Sequence, residues 1–258
     1  MADDRIELAK NIADSTNYLN KEIIYLKNTA ITEYDISSAG FTVIKFKKLL
    51  PESEIAELEK LSKMERNIRI GKKILLYPNI SKEILETLAK ARKAFVVVNG
   101  IHPEDILSIK KDAFFLIKKI PTVLTIKDFQ FRQKDTYTSY CYLNRKEFYY
   151  SAKTDELVIK GISDKVRETQ NDYLLKDIKK FMSLSEKVTS EQMFSILKTY
   201  RQKYLERKLN KETYRDLDTG MFKINDYLLE NIADDVLLSV DTSQNYINYL
   251  VPLFNMLV

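Results

Sequence analysis

Two carboxylates stand out by their positions. Asp35 closes the stretch AITEYD just before a segment with helical patterning. Asp112 lies in the polar centre of ILSIKKDAFFL, whose apolar arms read as a hairpin. A lone Asp at a strand end is ordinarily a cap or turn residue. Two of them on adjacent strands are different, because together they could hold divalent cations about 3.5–4 Å apart. That geometry activates a hydroxyl nucleophile and steadies a leaving pyrophosphate. Mg²⁺ takes hard oxygen ligands, so this chemistry needs neither His nor Cys.

Other chemistries are excluded by scarcity. His102 and Cys141 are the only residues of their types among 258, which rules out an internal disulfide, zinc fingers and multi-His metal sites. The five glycines (40, 71, 100, 161 and 220) are too far apart for a GxGxxG or GxxxxGK[ST] phosphate cradle. No apolar run approaches the roughly 20 residues of a membrane helix. MADDRIELAK has no basic-then-apolar leader pattern, so a reducing, cytoplasmic setting is expected, the host cytoplasm if the source is viral. Apolar residues at 45% and charged residues at 31% suit a folded chain with a buried core.

The net charge of +5 is unevenly spread. Lys45–Lys119 holds 17 basic and 10 acidic side chains, and Lys198–Arg215 holds seven basic residues against Glu206 and Glu212. A phosphate-backbone partner would need such local excesses, although solvated helix faces would also produce them.

The elements that must position the carboxylates follow from periodicity. A helix is predicted over 2–27 and a strand over 30–36. Pro51 opens a helix whose stripe is Ile55, Leu58, Leu61 and Met64. Pro78-Asn79 breaks the chain, and Ser81 caps a helix to about Val97 that turns Ile84, Leu85, Leu88, Ala91 and Phe95 inward. Asn99-Gly100 ends it. The hairpin follows from Ile106, then aromatic-rich strands at 122–133, 136–144, 146–151 and 156–160. Helices return after Ser163, and Thr189-x-x-Gln192 is a capping box opening a helix to about Leu209.

The order of these motifs resembles family B DNA polymerases over residues 29–210. Asp35-Ile-Ser-Ser38 keeps the Asp and Ser of the first palm motif. Lys63-Met-Glu-Arg66-Asn67-Ile68-Arg69-Ile70-Gly71 keeps the Lys, Asn and Gly of the fingers helix. Ser108-Ile-Lys110-Lys111-Asp112 keeps the second Asp of the palm hairpin. Arg145-Lys146-Glu147-Phe148 is close to the basic-basic-x-Tyr motif, and Lys160-Gly161-Ile162 matches the strand end before the thumb. Lys110 replaces the first hairpin Asp, Gly40 replaces an aromatic sugar gate, and Ile68 and Ile70 replace Ser and Tyr.

The resemblance implies an α+β fold: a palm-type antiparallel sheet with packed helices over 1–162, short helical fingers at about 45–100, and a helical thumb-like domain over 163–258. It implies Mg²⁺ on Asp35 and Asp112 as the catalytic pair, and nucleotide contacts from Lys63, Arg66, Asn67, Arg69 and Lys72. Contacts from Arg145, Lys146 and Lys160 to a DNA or RNA primer–template are also implied. Such a reduced core, phage-like or viral, would extend a primer alone or with further polymerase subunits. The alternative is a non-catalytic polymerase-like subunit that binds nucleic acid or acts as a scaffold in a replication or transcription complex, a reading that Lys110 favours. A third reading is a soluble α+β protein with no polymerase ancestry.

Overall fold

The computed structural model describes residues 2–143, 145–160, 173–206 and 208–209. It is mixed α+β, with two antiparallel sheets, and divides into two units. One is Met1–Lys21 with Ala30–Thr136; the other is Glu22–Thr29 with Tyr137–Val258.

The first unit begins with α1 (Ala2–Asp14) and β1 (Asn17–Leu19). The single helix expected over 2–27 is therefore cut at Asp14, because the chain beyond it pairs: β1 lies antiparallel to β4 (Ile106–Lys110), with Asn17 opposite Lys110. β3 (Ile31–Ile36) runs into α2 (Ala39–Lys47), then α3 (Glu52–Glu59), α4 (Lys63–Leu76) and α5 (Pro78–Val98). The stripe expected from Ile55 to Met64 is two helices, separated by a capping box in which Ser62 and Glu65 exchange hydrogen bonds. Met64 consequently faces solvent. The break expected at Pro78 falls at Tyr77, between α4 and α5; Pro78 itself occupies the first turn of α5, where a missing N–H costs nothing, so Ser81 is inside the helix rather than its cap. Of the residues expected to face inward from α5, Leu85 is exposed. Gly100, at φ 55, ends the helix in the left-handed region.

β5 (Ala113–Ile117), β6 (Thr125–Ile126) and β7 (Phe129–Tyr137) complete a six-stranded sheet in the order β1-β4-β5-β3-β7-β6. Phe95 of α5 stacks on Phe131 with ring centroids 4.0 Å apart and also meets Tyr34 and Phe114. This aromatic cluster anchors α5 in the core, and Ile55 and Leu58 of α3 and Ile70 of α4 join it, so the helices expected as short fingers share one core with the sheet.

In the second unit β2 (Tyr25–Leu26), β8 (Ser139–Leu143), β9 (Lys146–Ser151) and β10 (Glu156–Lys160) form a sheet in the order β10-β9-β8-β2. One face, with Cys141, Leu143, Phe148, Tyr150 and Ile159, packs with α6 (Tyr173–Ser185) and α7 (Ser190–Leu205). The Thr189/Gln192 capping box opens α7 as its sequence predicts. The aromatic strands thus belong with the helices that follow them, and the division falls after Thr136 rather than near Gly161. Gly161, Ile162, the rest of the thumb-like segment and the basic stretch beyond Leu209 lie outside the described residues.

Candidate functional site

Asp35 and Asp112 are brought together by strand pairing. β3 and β5 are antiparallel neighbours with Asp35 opposite Ala113, the residue after Asp112, and the Ile36 N–H donates to the Asp112 carbonyl at 3.2 Å. The β4–β5 hairpin turns through Lys111-Asp112 alone, since Lys110 pairs with Ala113. Lys111 takes φ 56, a conformation that is uncommon for residues other than glycine, Asn and Asp and is held by its surroundings. Its N–H donates to the Thr16 carbonyl at 2.7 Å, and its carbonyl accepts from the Arg92 guanidinium.

Arg92 is 1% exposed, and sequence reasoning missed it. Its remaining donors satisfy the carbonyls of Ala13 (2.9 Å), Asp14 (3.3 Å) and Ser15 (3.1 Å) at the end of α1. A buried charge on an otherwise apolar face of α5 was the available sign of it. Through this one side chain the end of α1 and the tip carrying Asp112 are tied together.

Asp35 and Asp112 open onto a cavity of about 570 Å³, lined also by Ser38, Gly40, Lys63, Asn67, Ser81 and Lys111. Lys63 and Asn67 are one helical turn apart, so the capped start of α4 presents both to the same space. The other residues expected to bind nucleotide are engaged elsewhere. The Arg66 guanidinium lies 4.7 Å from the Phe41 ring centroid, fixing α4 to α2. Arg69 pairs with Glu57 of α3 at 3.6 Å. Lys72 is exposed and does not line the cavity. Gly40 has open space where a side chain would be. Lys110 is not among the lining residues; its neighbour Lys111 is.

The electrostatics of the pair are uneven. Burial pushes the Asp112 carboxyl above its ordinary value, and the nearby Asp35 charge adds to this; its own backbone N–H, Lys111 and Arg92 act in the opposite direction. Asp35 is held by Arg132 of β7, which was not anticipated. Arg132 Nε donates to Asp35 Oδ1 at 2.8 Å and Nη2 to Oδ2 at 3.5 Å, and Lys134 makes the next cross-strand pair with Glu33 at 3.1 Å. The ion pair on Asp35 thus comes from a residue 97 positions away in the chain.

Two carboxylates on adjoining strands are hard-oxygen donors of the type Mg²⁺ takes; they would hold it only with water and substrate oxygens in the other positions, and Arg132 now engages one of them. Among the described residues no group of three or more His, Cys, Asp or Glu gathers as a metal site, here or elsewhere, so the protein's own side chains would supply two carboxylates at most.

Arg145, Lys146 and Lys160 lie together at one end of the four-stranded sheet, in the second unit. Arg145 is exposed in the β8–β9 turn, Lys146 pairs with Leu143, and Lys160 pairs with Glu147. Cys141 is fully buried, which pushes its thiol well up. Among the described residues no helix is long and apolar enough to cross a membrane.

No curated protein matches the chain, and the comparisons bring out no family B polymerase. One family description does match, over residues 8–258, and it names a phage gene product without an activity. With nearly its whole length covered, the chain belongs to the Bacteriophage PBS1 gene 130 protein family.

Proposed function

We propose that this phage-family protein is a reduced polymerase-like nucleotidyltransferase core acting on nucleic acid. The observation that carries the reading is convergence. Asp35, Asp112 and the Lys63/Asn67 pair lie far apart in sequence, and all line one cavity. They are four of the seven metal- and nucleotide-binding residues that the polymerase resemblance singles out; Arg66, Arg69 and Lys72 do not join them. The carboxylates would hold Mg²⁺, which supplies Lewis-acid stabilisation of phosphoryl oxygens. Lys63 would neutralise phosphate charge, Asn67 would donate to it or to a base, and Lys111 would add a second cation. Arg145, Lys146 and Lys160 would contact the phosphates of a primer–template.

A second reading, a non-catalytic polymerase-like subunit that binds nucleic acid, is favoured by the Arg132–Asp35 ion pair. That pair already neutralises one carboxylate. Primer extension with the full chain, labelled primer–template and all four deoxy- or ribonucleotides separates the two. Mg²⁺-dependent extension that is lost in Asp35→Asn and Asp112→Asn supports the catalytic reading. Salt-sensitive duplex binding without extension, unchanged by those substitutions, supports the second. Neither extension nor binding overturns both.

A further inference from the structure

We propose that Arg132 is a built-in counter-ion latch on the Asp35–Asp112 site, competing with the divalent cation for the Asp35 carboxylate. The inference rests on the metal-holding reading of that carboxylate pair and adds a regulatory element to it.

The geometry is specific. Arg132 projects from β7 and places two donors on the two oxygens of Asp35, at 2.8 and 3.5 Å. A guanidinium fork engaged in this way uses lone pairs that a metal would need. The two partners differ in accessibility: the Asp35 side chain is 17% exposed, whereas that of Arg132 is 49% exposed. Asp35 is fixed at the sheet end, while Arg132 is on a long exposed arm that can swing into solvent without disturbing the core. Its backbone neighbours on β7, Phe131 and Phe129, carry the packing.

Charge supplies the second half of the argument. Lys63 and Lys111 line the same cavity as the two carboxylates, so with Arg132 latched the site holds three cations against two anions. A free divalent cation meets no net attraction there. Once Arg132 is released, its bidentate donors are available to phosphate oxygens, and Asp35 is available to the metal. Phosphate-bearing substrate and metal are therefore expected to open the latch together, which keeps the empty site from loading metal on its own.

The test uses Mn²⁺ as a paramagnetic stand-in, with free Mn²⁺ read by electron paramagnetic resonance and no turnover required. The full chain is compared with Arg132→Gln, Arg132→Lys, and Arg132→Gln combined with Asp35→Asn, each checked for folding by circular dichroism. Arg132→Gln should bind Mn²⁺ about tenfold more tightly than the native chain, equivalent to about 1.4 kcal/mol. Arg132→Lys, which keeps the charge but loses the fork, should fall between them, and the added Asp35→Asn should abolish the gain. Native binding that Arg132→Gln leaves unchanged or weakens would overturn the latch alone. Absence of Mn²⁺ binding in every folded variant would overturn the metal-holding reading and the latch with it.

Discussion

Replacing Arg92 by Met keeps most of the side-chain volume and removes every donor. Four carbonyls then lose a partner: Ala13, Asp14 and Ser15 at the end of α1, and Lys111 at the hairpin tip. Each hydrogen bond to a charged group is worth about 1.5–3 kcal/mol, and the loss is partly offset because a buried guanidinium no longer has to be desolvated. Burial already pulls the Arg92 pKa down, against the pull of Asp14 and Asp112. Removing one partner from a buried charged network typically costs about 3–5 kcal/mol, and we take about 3 because the Asp14 contact is long. At about 2–8 °C per kcal/mol for a unit of this size, the melting temperature should fall by about 10 °C. Scanning calorimetry reads this directly. Arg92→Lys should recover part of the loss, since a lysine keeps the charge but cannot span both α1 and the turn. A fall of under about 2 °C in Arg92→Met would refute the claim that this side chain holds the hairpin tip.

Asp112 should show an inverted pH dependence. Its folded pKa lies above the ordinary 3.8, so the native state holds the proton more tightly than the unfolded chain. Stability from this group is then greatest at low pH and is lost as pH rises through the raised value. Asp112→Asn should raise the urea midpoint at pH 7, with the gap closing as pH falls towards 3.8. Ser62→Ala should cost about 1 kcal/mol through loss of the α4 cap, read as a lower urea midpoint. Neutralising Arg145, Lys146 and Lys160 together should weaken duplex binding and reduce the log–log salt slope by about 2.7 if all three contact phosphate. An unchanged slope in fluorescence anisotropy would place that surface elsewhere.

Local features of the fold were legible in the sequence, and non-local ones were not. The hairpin around Asp112 could be read because its apolar arms flank a two-residue polar turn. The α7 cap could be read because Thr189 and Gln192 have the capping-box spacing. Ser62 and Glu65 have a similar spacing, but the apolar stripe from Ile55 to Met64 ran through them and concealed the break. The short strands β1 and β2 carry too few residues to show a period; β2 pairs with β8 over 100 residues away, a contact no local pattern encodes. That the strands carrying Asp35 and Asp112 are neighbours could be anticipated from motif order. The Arg132 fork could not, because β7 reads as an exposed strand whose charges have no evident partners. Arg92 was hidden differently: composition places Arg on surfaces, and only its helical neighbours Leu88, Ala91 and Phe95 hint at burial.

The central claim is that strands β3 and β5 and helix α4 build one nucleotide-phosphate site, and labelling with a photoreactive azido-deoxynucleoside triphosphate tests it most directly. The full chain is irradiated with the probe, with and without Mg²⁺, and the modified peptides are mapped. The account predicts labels within Lys63–Ile74 and around Lys111, enhanced by Mg²⁺ and displaced by unlabelled nucleotide. Labelling confined to other parts of the chain, or insensitive to unlabelled nucleotide, would contradict it.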